Sequence, residues 1–171
     1  LDLLETCLRD EDPQVAAITC HMLAIDTRDP ARATRAIAAR FATAPVELQF
    51  NMLLALRPLH DHLAAIRPLL DGAFGSNNWL LQLPAALLLL DLEPDHATAF
   101  AAVVRFQADN SSEVRQHALR QAANMPALAA RCVDRAIECL EDPNEQVQAA
   151  AVRLLGAAPS AKERTLPLLR K

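Results

Sequence analysis

No tyrosine occurs in the 171 residues, and the sequence holds only one tryptophan and three glycines. With so few aromatic and β-branched side chains, sheet is disfavoured, and the dominance of Ala and Leu points to helix. Glycines stand only at 72, 75 and 156, so neither a GxGxxG loop nor a P-loop can be written. The four cysteines, at 7, 20, 132 and 139, form no CxxC pair. Each lies among apolar neighbours in a helical pattern and reads as a small buried hydrophobe in a reducing compartment. There is no excess of positive charge either. The net charge is −4, and no Lys or Arg occurs between Arg67 and Arg105, where Asp71, Asp91, Glu93 and Asp95 stand instead. Non-specific attraction to nucleic acid or to an anionic membrane is therefore not expected. The longest apolar stretch, WLLQLPAALLLLDL, is interrupted by Gln82 and Pro84 and is too short to span a bilayer. The sequence opens at Leu1 in mid-helix pattern with no signal-peptide layout. The expectation is a fragment of a longer protein, cytoplasmic or on the cytosolic side of a membrane-bound parent.

What is present is repetition. Stepping back by 33 from Val147 meets Val114, Leu81, Leu48 and Val15, all aliphatic. Four positions further along lie Thr19, Met52, Ala85, Ala118 and Ala151, and five along lie Cys20, Leu53, Ala86, Leu119 and Val152. Eight along lie Leu23, Leu56, Leu89, Ala122 and Leu155. Offsets of 0, 4, 5 and 8 share one face of an α-helix, so each segment predicts a helix with one buried stripe. A second helix precedes each, phased on Leu4, Ile37, Leu70, Val103 and Ala136. Between the two stand turn-formers and caps, such as Asp10 to Pro13, Gly75 to Asn78 and Asp142 to Asn144. Each unit is helix A, short turn, helix B, short turn. One such hairpin cannot bury its stripe alone, whereas a stack of them can.

The pattern D-x-x-x-x-V-R-x-x-A-x-x-x-L resembles HEAT repeats. It is clearest as Asp109, Val114, Arg115 and Ala118, and as Asp142, Val147, Ala151 and Leu155. Prolines inside helix A, Pro68 and Pro167, are similar to that family as well. The resemblance covers nearly the whole chain. It implies an all-α, right-handed α-α superhelix, a solenoid of about five 33-residue HEAT-like hairpins plus a terminal helix, forming one domain over residues 1–171. Two departures stand out. HEAT repeats often carry an Asp–Arg ladder along their turns, but here Ala16, Gln49, Gln82 and Gln148 occupy the Arg position. Pro84 falls inside the third helix B, where it should bend or break the helix.

The resemblance also brings enzymes to weigh. Deoxyhypusine hydroxylases of this architecture hold two irons with His-Glu dipeptides. The five histidines here are followed instead by Met22, Asp61, Leu63, Ala97 and Ala118. His60 and His62 flank Asp61 in an interhelix segment, which reads better as a polar turn than as a lone metal site. Alkylpurine DNA glycosylases line their surface with basic and aromatic residues, which the middle of this chain lacks. A phycobilin-lyase-like helper for a small apolar ligand would need a deep pocket near Leu54, Leu83 and Leu87. No catalytic residue, metal or cofactor is expected, and the resemblance implies a non-enzymatic scaffold for a protein partner or a neighbouring domain.

The partner surface should lie on helix B, at offsets −1, +2 and +6. These are Gln14, Ala17 and His21 in the first unit, and Glu113, Gln116 and Arg120 in the fourth. In the second they are Glu47, Phe50 and Leu54, and in the third Leu80, Leu83 and Leu87 beside Trp79. The middle of the face thus turns apolar, and Phe50, Leu54, Trp79, Leu80, Leu83 and Leu87 form the candidate partner site. Arg28, Arg32 and Arg35 form a secondary basic stripe on helix A of the second unit.

Overall fold

A computed structural model of the chain describes residues 2–25, 29–57 and 66–158. Among the described residues there are eleven α-helices and no strand. The chain forms two compact units, Leu1–Ala99 and Phe100–Lys171.

The first unit holds three hairpins: α1 (Asp2–Cys7) with α2 (Pro13–Ile25), α3 (Pro30–Phe41) with α4 (Val46–Ala55), and α5 (Arg67–Phe74) with α6 (Trp79–Leu92). Packing follows chain order. Within the hairpins α1 lies on α2, α3 on α4 and α5 on α6, and the second helices form a row in which α4 packs on α2 and α6 on α4. Starts are set locally. The Asp29 side chain accepts from the Arg32 N–H with Pro30 opening α3, and Asn78 accepts from the Leu80 N–H at the start of α6.

α7 (Ala97–Gln107) leads into the second unit. That unit continues with α8 (Ser112–Ala123), α9 (Pro126–Arg131), α10 (Val133–Glu138), a 3₁₀ turn at Cys139–Glu141 and α11 (Glu145–Ala157). The fifth helix A, expected as one piece, is divided at Cys132 into α9 and α10. α11 packs on α8 and also covers α9 and α10. Asn144 caps α11 by accepting from the N–H groups of Gln146 and Val147.

The 33-residue register is also a register of burial. Ile37, Leu70, Val103 and Ala136 are fully buried on the first helices, as are Leu23, Leu56, Leu89 and Ala122 on the second. Leu4 and Val15, at the start of the pattern, are only half-buried. One expected core position is corrected. Val152 is 47% exposed, whereas Cys20, Leu53, Ala86 and Leu119 at the same register are sealed. Its side of α11 has no further helix against it among the described residues.

Pro84 neither breaks nor ends α6, which runs unbroken from Trp79 to Leu92. The lost backbone hydrogen bond, costing about 3 kcal/mol, is outweighed by a helix buried continuously from Leu83 to Leu90.

Candidate interaction surface

The apolar patch expected from the sequence divides by depth. Leu83 and Leu87 are buried, at 0% and 3% exposure, and present no surface. Every residue of α6 from Leu83 to Leu90 is buried, so the offsets Leu83 and Leu87 point into packing. Phe50, Leu54, Trp79 and Leu80 are half-buried. Of these, Leu54 reaches a groove.

That groove runs between α2 and α4, with a volume of about 550 Å³. Ala17, Ile18 and His21 line it from α2, and Asn51, Leu54 and Ala55 from α4. It is open to solvent and mainly apolar. Ile18 is 62% exposed, and Met22 and Ile25 continue the same face of α2 at 46% and 55%. The outward offsets of the first unit, Gln14, Ala17 and His21, are polar or small in sequence. Gln14 and His21 are exposed as expected, and the face extends beside them through Ile18, Met22 and Ile25, spaced i, i+4 and i+7. A stripe at that spacing is legible in sequence. What hid it is that the same spacing ordinarily marks a core face.

The basic stripe is not a basic surface. Arg28 lies outside the described residues. Arg32 donates from Nε to Glu5 at 2.5 Å and also pairs with Asp2. Hydrogen bonds from Arg32 hold the Asp2 carboxyl below its ordinary range. Arg35 is exposed, in a cleft of about 760 Å³ that also contains Glu5, Asp10 and Glu11. Arginines interleaved with carboxylates at this density give no field of one sign.

The polar frame holding the helices is more regular than the sequence suggested. Gln49 and Gln82 each donate from Nε2, at 2.9 Å, to a carbonyl eight residues back, those of Phe41 and Phe74. Gln148 donates likewise to the carbonyl of Asp142 at 2.7 Å. These glutamines tie the end of one helix to the start of the next. One Asp–Arg rung is present. Arg115 grips Asp142 with two bonds of 2.8 Å, and donates to the carbonyls of Asp109 and Asn110. The paired side chains are only 12% and 9% exposed. The guanidinium of Arg115 holds the Asp142 carboxyl below the usual carboxylate range, helped by the Asn144 N–H.

Cys20, Cys132 and Cys139 are buried and Cys7 half-buried, all as free thiols. Burial pushes the Cys20 thiol up to about 12 and raises those of Cys132 and Cys139, so none of the three is a poised nucleophile. Burial, reinforced by Arg120, lowers the pKa of His117. Among the described residues no group of three or more His, Cys, Asp or Glu is placed to hold a metal ion. His60, Asp61 and His62 lie outside them. No described helix is long and apolar enough to cross a membrane.

No family model matches this chain, and no curated protein matches it significantly.

Proposed function

We propose that the chain is a non-enzymatic interaction module of HEAT-like helical hairpins, which docks an apolar segment of a protein partner in the α2–α4 groove. The observation that carries this reading is the groove itself, an open trough lined by Ala17, Ile18, Leu54 and Ala55 together with the polar side chains of Gln14, His21 and Asn51. Large apolar side chains left in water, ringed by polar ones, are the layout of an interface anchor. Burying Ile18 against a partner would contribute about 2 kcal/mol. The open form of the trough favours a protein segment over a small ligand, which needs enclosure on most sides. The lack of a one-signed basic field argues against DNA as the partner. The step from a helical-repeat architecture to a scaffold role is by analogy.

The test is affinity capture from the source organism with the unaltered chain, a Leu54→Glu variant and an Arg35→Glu variant, each first shown to keep its helical circular dichroism. A protein held by the unaltered chain and by Arg35→Glu, and lost by Leu54→Glu, is the expected result. Equal capture by all three would move the site away from the groove.

A further inference from the structure

Three features of the fifth hairpin's first helix meet at Cys132. The first is a break. The backbone there (φ −99°, ψ 7°) lies in the bridge region and divides the helix into α9 and α10, of six residues each. Each piece buries two side chains, whereas α8 and α11 bury five each. A helix this short has no stability of its own and keeps its shape only while it is packed. The second feature is the end of α7, against which the segment closes. Gln107 is fully buried there, and its amide nitrogen and oxygen have no hydrogen-bond partner, a cost that disappears once water reaches them. The third is a pair of thiols. Cys132 lies beside the Gln107 side chain, and Cys139 Sγ stands 3.9 Å from the Gln107 carbonyl oxygen. Both are sealed, at 1% and 2% exposure. Arg135 ties the segment shut, donating from Nε and Nη2 to that same carbonyl at 3.3 and 3.0 Å. One residue of α7 therefore carries both the bonds that hold the segment closed and the orphaned amide that favours opening, with a thiol beside each.

We propose that α9 and α10 form a redox latch: the segment opens as one piece, Cys132 and Cys139 are oxidised together to a disulfide in the open form, and the disulfide prevents closure. Closed, both thiols are out of reach, and burial keeps them protonated. Open, they recover ordinary thiol reactivity. The oxidant is a low-molecular-weight disulfide such as oxidised glutathione. The Cys132 thiolate attacks it, forming a mixed disulfide and releasing one small thiol. The Cys139 thiolate then attacks Sγ of Cys132 and releases the second. Two electrons pass from the protein to the small disulfide, and the two thiol protons end on the two small thiols. Positions i and i+7 of helical chain hold their Cα atoms about 10 Å apart, more than the ~7 Å that a disulfide spans, so the bridge and the packed segment exclude one another. The latch lies wholly in the second compact unit, whereas the α2–α4 groove belongs to the first, so the inference is independent of the groove.

Timed labelling of the full chain with an aromatic disulfide reagent, each thiol followed by peptide mass, tests the opening. Cys132 and Cys139 should label faster than the free energy of urea unfolding permits. Gln107→Met, which removes the orphaned amide, should slow both by about tenfold and leave Cys20 unchanged. Incubation with oxidised glutathione tests the bridge. It should link Cys132 to Cys139 and open new tryptic cleavage after Arg131 and Arg135, and dithiothreitol should reverse both. Labelling of the two thiols only at the pace of global unfolding overturns the proposal, because they are then exposed only with everything else. Oxidation that leaves Cys132 and Cys139 unlinked overturns it as well. So does a bridge that forms without added cleavage, since the packed segment would then accommodate it.

Discussion

Gln107 is the residue that least fits its place. It occupies the register of Leu8, Phe41, Phe74 and Leu140, is fully buried, and neither its amide nitrogen nor its oxygen finds a hydrogen-bond partner. The Cys132 thiol beside it is at best a weak one. Its backbone, in contrast, is well used, since the carbonyl accepts from Arg135 Nη2 at 3.0 Å. An orphaned buried amide costs about 1–3 kcal/mol, so Gln107→Met, of similar shape and without the polar atoms, should raise the unfolding free energy by about that amount, seen in urea melts as a higher midpoint at unchanged slope. Asp142 is the opposite case, a carboxylate with every neighbour in its favour. Asp142→Ala leaves the Arg115 guanidinium without its carboxylate, with only the carbonyls of Asp109 and Asn110 as partners, and should destabilise the protein by about 2 kcal/mol in urea melts. The pH dependence follows from the sign of the shift. The native carboxyl titrates below the unfolded one, so its contribution is complete above the ordinary carboxylate range and is lost as pH falls through the depressed native value. Asp142→Asn should therefore flatten the acid limb of the stability curve while changing little in the shape near neutrality.

At the scale of elements, the turns inside the hairpins are held by side chains rather than by special backbone. Among the described residues there is no positive φ and no cis peptide. Gln49 and Gln82 do this work for α3–α4 and α5–α6. Replacing either with Leu removes a neutral hydrogen bond and leaves a carbonyl at a helix end without its donor, which should cost about 1 kcal/mol in thermal or urea unfolding. The same change at Gln121, whose side chain reaches only His117 on its own helix, should cost much less. These ties were within reach of the sequence. The 33-residue step aligns Gln49, Gln82 and Gln148, but a glutamine has many uses, and only the distance to a carbonyl six or eight residues back distinguishes a tie from a solvated side chain.

For the whole molecule, the decisive variable is depth. Phe50, Leu54, Leu83 and Leu87 read alike as apolar letters at outward offsets, yet Leu83 and Leu87 are core and Leu54 faces a groove. Leu83→Glu should therefore unfold the chain or cost about 4 kcal/mol or more, because a carboxylate would be buried without a partner. Leu54→Glu should leave the melting temperature nearly unchanged, and circular dichroism melts of the pair check this directly. If the two variants melt alike, the division of the patch is wrong.

The sequence by itself determined that the chain is helical, where most helices begin and end, and which positions share a register. These follow from period, capping residues and the 33-residue step, all local or repeated along the chain. It placed Arg115 and Asp142 in consecutive units of one repeated pattern, but their pairing is read from the tertiary structure. The tertiary structure alone decided which apolar faces are covered. Coverage depends on whether a neighbouring helix is present, and α2 and α11 carry the same register as the helices between them but lack a neighbour on one side among the described residues. It decided likewise that α6 stays whole through Pro84, since burial from Leu83 to Leu90 outweighs one lost hydrogen bond. And it decided that Arg32 faces acids rather than solvent, because Asp2 and Glu5 are brought to it by the packing of the first two hairpins and not by their place in the chain.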